Sequence, residues 1–389
     1  MKIEALDAFY LRMPEVKDIG DGSQDVLVMR VQAGGFVGWG ECEASPLTTI
    51  AALIAPLSHS ACHPIRSSIV GQELPGPDEM EAFHRRVRER SSDLLQTDHA
   101  LSGIDIALWD LIGKVHGAPV WSFFGAKNHA KTAYASQLFG DTPSATYEDA
   151  RSVPPEFRAA KFGWGPFGRA ELADDREQLA AAREGVGPNR TLLIDTGCVF
   201  GHDVSRAAER IALLEEFHVG WWEEPFAAGA LAEYSQLSKQ TKTKLAGGEG
   251  AHTADQARHL IDYGGVGFIQ VDAGRIGGIT AARQVANYAR QKNVQFVNHT
   301  FTSNLALSAS LQPYADHPSG YAEVPLAASD LAIAIGGMPW VLDPDGGVSA
   351  PGNLGLGVTP EPLAISPYLQ EVEIRWNGKT LWNSLDNKL

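Results

Sequence analysis

From about residue 130 onwards, short apolar runs, most of them closed by a polar or charged residue, alternate with longer segments of helical periodicity. A short apolar run of this kind is the mark of a strand buried on both faces in a parallel sheet. The pattern predicts strands near 131–137, 158–162, 191–195, 219–223, 244–249, 267–272, 294–298 and 320–324. It predicts helices most clearly at 171–185, 204–217, 231–240, 254–263 and 279–292. The repeat fits a strand, a loop, a helix and a return loop. Eight such units make a (β/α) barrel, whose active site lies at the C-terminal ends of the strands. The first 125 or so residues do not share this rhythm. There, strands are expected at 2–12, 26–33 and 37–41, a Gly- and Asp-rich loop at 15–25, and helices at 77–96 and 98–115. An antiparallel sheet followed by helices is an α+β domain. The pattern fades again over 365–389, a tail expected to pack back on the first domain. The organisation read from the chain is therefore 1–125, 126–364 and 365–389.

The residues that close the apolar runs carry the chemistry. Asp195, Glu223 and Glu249 end three consecutive runs, at separations of 28 and 26 residues; Asp272, His299 and Glu323 end the next three. A single acidic residue after a strand is usually a helix cap or a solvated loop group. Recurrence at successive barrel strand ends overturns that reading. Three converging carboxylates cannot all ionise without a cation, and all-oxygen ligation points to a hard ion, Mg²⁺ first and Mn²⁺ second. Asp272 and His299 end adjacent strands, so a carboxylate–imidazole hydrogen bond is expected, giving a histidine suited to proton abstraction and return. Lys161, near the end of the second strand, is either a salt-bridge partner for these acids or a group facing a substrate carboxylate or enolate. Glu224 is one residue out of phase with Glu223, so only one of the two can point inward. Glu43 stays ambiguous.

Composition narrows the partners. The formal net charge of −15 argues against nucleic acid and against an anionic membrane surface, while leaving a small anionic substrate open. Cys42, Cys62 and Cys198 are widely spaced and form no CxxC, as expected of reduced thiols. No window approaches a membrane span and the N-terminus does not read as a signal peptide, so the cytoplasm is the expected location.

Several motifs together resemble the enolase superfamily, in its mandelate racemase subgroup, over essentially the whole chain. They are ALWDLIGKVHGAPV at 107–120, Leu193-Ile194-Asp195, Trp222-Glu223-Glu224-Pro225, Gly247-Gly248-Glu249, VDAGRIGG at 271–278, and Asn298-His299. The resemblance implies an α/β fold: a modified TIM barrel, (β/α)₇β, under an α+β capping domain formed by the N-terminal segment and the tail. It implies Asp195, Glu223 and Glu249 as ligands of Mg²⁺, Asp272 and His299 as a catalytic dyad, and Glu323 as an acid hydrogen-bonded to the substrate carboxylate. The shared chemistry is abstraction of the proton α to a carboxylate, giving a metal-held enediolate. Homo-oligomers, often octamers, are common in that family. One departure matters. The subgroup often carries Lys-x-Lys on the second strand, but here the frame reads Lys161-Phe162-Gly163. Loss of the second lysine argues against a two-base racemase. It leaves syn dehydration of a sugar acid, with His299 as base and then acid, as the main expectation. Alternatives are an epimerase or cycloisomerase using Lys161, and a non-catalytic metal-binding barrel. Trp164 could stack on the carbon chain, and Lys17 and Ser45 in the cap loops are chemically suited to bind it. A diacid would require a further cation, for which Lys17 and Arg66 are the available residues.

Overall fold

The computed structural model describes residues 1–326, 328–337 and 340–386. Its centre is a sheet of eight parallel strands, β4 (Lys131–Leu138), β5 (Ala159–Gly163), β6 (Thr191–Asp195), β7 (Val219–Glu223), β8 (Lys244–Gly247), β9 (Phe268–Asp272), β10 (Gln295–His299) and β11 (Tyr321–Pro325). Each strand pairs with the next in sequence up to β10, and β11 pairs with β4, so the sheet curls into a nearly closed barrel. The seam between β10 and β11 is bridged by a side chain. The Asn298 amide donates to the Glu323 carbonyl oxygen at 3.2 Å and accepts from the Glu323 N–H at 3.0 Å, which imitates a rung of backbone ladder. A two-residue strand, β12 (Gly347–Val348), runs antiparallel on β4.

Inside the barrel, each strand contributes one residue to a packed layer: Tyr134, Ala159, Leu193, Trp221, Ala246, Phe268, Val297 and Tyr321. Trp221 is the hub. Its ring meets Tyr134 and Tyr321 edge-on, at centroid separations of 5.2 and 5.4 Å. Such pairs favour this geometry because the ring edge is positive and the face negative. The layer is the solid floor beneath the strand ends. From it the Trp221 indole N–H donates to Glu223 Oε2 at 3.0 Å, fixing the carboxylate two residues on, on the same strand face.

The N-terminal part is the antiparallel sheet β1 (Ala5–Arg12), β2 (Asp25–Ala33) and β3 (Phe36–Glu43), followed by α1 (Pro46–Ile54), α2 (Met80–Arg90) and α3 (Thr97–His116). Helix α3 lies directly on β3. A methyl group at Gly40 would collide with the carbonyl oxygen of Gly103, so close contact demands glycine there. The opposite side of α3 meets the barrel: Asp105 Oδ1 accepts from Thr280 N at 3.0 Å and Ser102 Oγ from Gly277 N at 2.8 Å. After the barrel, the hairpin β13 (Glu373–Trp376) and β14 (Lys379–Asn383) follows a segment that returns to β1, where Gln370 N donates to Tyr10 O at 2.9 Å.

The expected helix over 204–217 is two short ones, Val204–Ala208 and Ile211–Glu216. At the break, Arg210 reaches across to Asp175 Oδ2 at 3.0 Å and to the Ala170 carbonyl, tertiary bonds that hydrophobic periodicity does not register. The helix expected at 77–96 is confined to Met80–Arg90. No helix among the described residues is long and apolar enough to cross a membrane.

The joint between α2 and the barrel makes stability pH-dependent. His84 is buried with Nε2 2.8 Å from the Gly277 carbonyl oxygen, and burial lowers its pKa to about 4. The unfolded chain binds the proton near pH 6.5, so His84 contributes full stability above that pH and loses it as pH falls towards 4. The loss should reach about 3 kcal/mol. Urea melts of the native protein and His84→Gln at pH 7 and pH 4.5 check it; a pH slope unchanged by the substitution would refute it.

Candidate active site

A cavity of about 220 Å³ opens at the C-terminal ends of the barrel strands, under the loop that joins β1 to β2. Asp195, Glu249, Lys161 and His299 line it. Glu223 and Glu323, both fully buried, lie directly beneath through their bonds to Lys161. The structure therefore brings together the groups that the apolar runs deliver at their ends. Lys161 Nζ donates to Glu223 Oε1 at 2.6 Å and lies 2.8 Å from Glu323 Oε1 and 3.7 Å from Asp195 Oδ2. Burial alone would lower the lysine pKa, but Glu223 and Glu323 outweigh it and hold the ammonium well above its usual range. The second oxygen of Glu323 accepts from Thr300 N at 2.8 Å. With Lys161 beside it, the Glu323 carboxyl is held below the usual range despite burial.

On the other side, His299 Nδ1 is 2.7 Å from Asp272 Oδ2. Since an ionised carboxylate only accepts, Nδ1 carries a proton and Nε2 is left as the nitrogen that can exchange one with a ligand. Nε2 lies 3.2 Å from Glu249 Oε2. Burial would depress the imidazole, but Glu249, Glu323, Asp272 and Glu43 together hold it well above its ordinary range. Burial would raise Asp272, but the hydrogen bond from His299 and the positive charges of His299 and Arg275 hold it below the carboxylate range. Its other oxygen accepts from Gly274 N at 2.6 Å, which locks the aspartate in place.

The acids and bases do not balance. Asp195, Glu223, Glu249, Glu323, Asp272 and Glu43 crowd around the permanent cations Lys161 and Arg275 and the single imidazole. Burial pushes Asp195 up to about 6 and Glu223 up to about 8 even with Lys161 between them. A hard divalent cation would balance such a set of oxygens; Asp195 and Glu249 line the cavity, and Glu223 lies beneath it on Lys161. Among the described residues, a tighter group is Glu43, Asp272 and His299, whose donor atoms all lie within 4.8 Å of one another. There the imidazole proton is already given to Asp272 and the Glu43 carboxylate to Arg275, so the group is occupied by two polar pairs.

Residues 15–125 match the family described as mandelate racemase/muconate lactonizing enzyme, N-terminal domain, and residues 145–364 the family described as enolase C-terminal domain-like. The chain belongs to the enolase superfamily, in its mandelate racemase/muconate lactonizing enzyme family. A crystal structure described as a predicted mandelate racemase from Rhodobacter sphaeroides superposes with a TM-score of 0.93 at 49% identity, covering 98% of this chain and 99% of that one. The D-galactarolactone cycloisomerase of Agrobacterium fabrum is 29% identical over 287 residues, 72% of this chain and 71% of its own. The 3,6-anhydro-alpha-L-galactonate cycloisomerase of Streptomyces coelicolor is 29% identical over 264 residues, 67% of this chain and 69% of its own. The fold inferred from sequence, an enolase-superfamily barrel with an N-terminal cap, is the fold observed.

Within this superfamily frame, the position of the second strand-2 lysine is closed. A methyl group at Gly163 would stand 2.8 Å from Asp195 Oδ2. No longer side chain fits there without displacing that carboxylate. Gly163→Ala is therefore expected to fold but to weaken divalent-cation binding by about tenfold or more, the size of effect seen when groups supporting metal ligands are disturbed. Titration with Mn²⁺ followed by electron paramagnetic resonance tests this; unchanged affinity would refute it.

The cap-loop residues fare differently. Trp164 lines the cavity, its indole lying between Gly20 of the cap and Gly197. Lys17 and Ser45 do not line it. Lys17 is exposed, with its backbone tied to the Gln24 side chain, and Ser45 is exposed at the start of α1. Conversely, the structure brings in groups to which sequence reasoning assigned no role. Arg275 lines the cavity, bonded to Glu43 and 3.7 Å from Glu249 Oε1. Ser136 and Gln137 line it from the end of β4. The rule that barrel strand ends are functional applied to β4 as well and would have found that pair. For Glu224 the phase argument holds: Glu223 faces Lys161, whereas Glu224 turns to Cys198 Sγ at 3.5 Å.

Proposed function

We propose that this chain is a Mg²⁺-dependent lyase of the acid-sugar dehydratase type. The observation that carries the reading is that, among the described residues lining the cavity, the His299 imidazole is the one side chain placed to exchange a proton. His299 Nε2 is oriented by Asp272, while Lys161 is an ammonium engaged by carboxylates and Gly163 supplies no second base. Asp195, Glu223 and Glu249 would hold the ion, which supplies Lewis-acid stabilisation for the oxygens of the substrate carboxylate. With a cation neutralising Glu249, foremost of the acids that hold the imidazole protonated, His299 Nε2 would be free to take the α-proton, and the C–H electron pair moves into the enediolate. Lys161 adds a fixed positive charge where that negative charge develops, at no reorganisation cost. The protonated imidazole then gives its proton to the β-hydroxyl on the same face. The Cβ–O bond breaks, water leaves, and the resulting enol tautomerises to a 2-keto-3-deoxy acid.

A second reading, cycloisomerisation, is favoured by the names of the two curated relatives. It shares the first step, but the β-leaving group is a ring oxygen that stays attached to the product. A library of sugar acids and their lactones, incubated with protein and Mg²⁺, separates the two. Dehydration gives a semicarbazide-reactive keto acid lighter by one water, and cycloisomerisation gives an isomer of unchanged mass. Epimerisation would give neither a keto acid nor a ring-opened product, and would overturn the elimination reading.

A further inference from the structure

Resting on the proposed elimination at a sugar acid, we infer that the site takes a monocarboxylate whose remaining carbons carry neutral hydroxyls or a neutral ring, and that it discriminates against dicarboxylates. Among the described residues, the cations lining the cavity are Lys161, His299 and Arg275. The first two serve the reacting carboxylate and its α-carbon. Arg275 is already matched: it pairs with Glu43, lies 3.7 Å from Glu249 Oε1, and is screened by both. A distal carboxylate would therefore enter without a counter-charge. It would also meet Asp21, which lines the cap side of the cavity with one oxygen held by Ser23 N at 2.9 Å. Lys17 and Arg66, the cations that could have answered a second carboxylate, lie outside the lining.

What the cavity does offer is neutral polarity. Ser136 is 1% exposed and its Oγ has no hydrogen-bond partner; the neighbouring Gln137 Nε2 is likewise buried and unpartnered. Both residues line the cavity and neither carries a charge, so this edge of it is neutral and polar. A neutral polar edge of this kind suits hydroxyl groups. Trp164 also lines the cavity and adds the apolar surface of its indole for a carbon chain or ring. A second carboxylate would gain nothing from the indole and would lose its hydration against it.

The test is a matched panel with Mg²⁺-loaded protein: aldonates, the aldarates of the same stereochemistry, and the aldarate monolactones, which keep one free carboxylate. Turnover and α-proton exchange in D₂O are followed by NMR, and binding by calorimetry. The expected result is kcat/KM at least about 100-fold higher for an aldonate or a monolactone than for the matching aldarate. Ser136→Ala, on the strand face shared with Lys161, should raise KM about tenfold for the preferred substrate, and Lys17→Ala should leave the preference unchanged. An aldarate used within tenfold of its aldonate and monolactone partners would overturn the inference while leaving the elimination chemistry intact. Absence of turnover, exchange and selective binding across the panel would overturn both.

Discussion

His299→Asn is expected to lower kcat/KM by about 10³-fold or more, with the fold and cation binding retained. General acid–base catalysis by one positioned group contributes about 10²–10⁴-fold. Here one imidazole is asked to perform both proton transfers, so the upper part of that range applies. No neighbour can substitute. The Lys161 ammonium is held protonated by Glu223 and Glu323, and the strand-2 position that carries a second lysine in related frames is Gly163. Asparagine keeps a polar amide against Asp272, so the buried carboxylate is not abandoned. The decisive measurement is α-proton exchange in D₂O beside net turnover. Loss of turnover with exchange preserved would mean that another residue is the base, and would refute the assignment. Circular dichroism melts and Mn²⁺ titration of the same variant separate a chemical defect from a structural one.

Removing divalent cation should be nearly as severe. Chelation with EDTA is expected to reduce turnover at least about 100-fold, and readdition of Mg²⁺ to restore it. The carboxylate of a sugar acid must accept a second negative charge as the enediolate forms, and losing one preorganised stabilising group at such a site costs about 10²–10³-fold. The protein side of the argument is the surplus of buried carboxylates over Lys161 and Arg275 described above. The same surplus predicts that Mg²⁺ raises the melting temperature, because a ligand that binds only the folded state stabilises it by about 2.7 kcal/mol at 100 times its Kd. Asp195→Asn and Glu223→Gln should abolish both the activity and the thermal shift. Full activity after exhaustive chelation would remove the carboxylate assignment. A thermal shift that survives both substitutions would relocate the ion, with Glu43, Asp272 and His299 the group to test next.

The strand ends were legible because a buried parallel strand is short, uniformly apolar and stopped by the first residue that must meet solvent or a ligand. Asp195, Glu223, Asp272 and His299 each close a strand in the structure at the position the pattern marks. Glu249 falls two residues beyond β8, which ends at Gly247, because Gly248 turns the chain with a positive φ before the carboxylate is presented. The Asn298 bridge to Glu323 was out of reach of pattern reading, since it joins the first and last parts of the sheet through one side chain.

The cap was the harder part. That 15–25 forms a loop was evident from its glycines and aspartates, but its contacts were not. Gly20 lies against Trp164, and Ser23 binds Ser329 across 306 residues of sequence, while Lys17 in the same loop points to solvent. Periodicity reports which face of an element is buried, and says nothing about which residue of an irregular loop is turned inward. Sequence alone thus determined the barrel, its order of strands and the groups at their ends, because local burial and spacing encode them. Only the tertiary structure decided that Lys161 is tied among three carboxylates, that a side chain at Gly163 would press on the Asp195 carboxylate, and that Ser136, Gln137 and Arg275 complete the cavity. Those facts depend on distances between residues far apart in the chain, and one-dimensional spacing does not carry them.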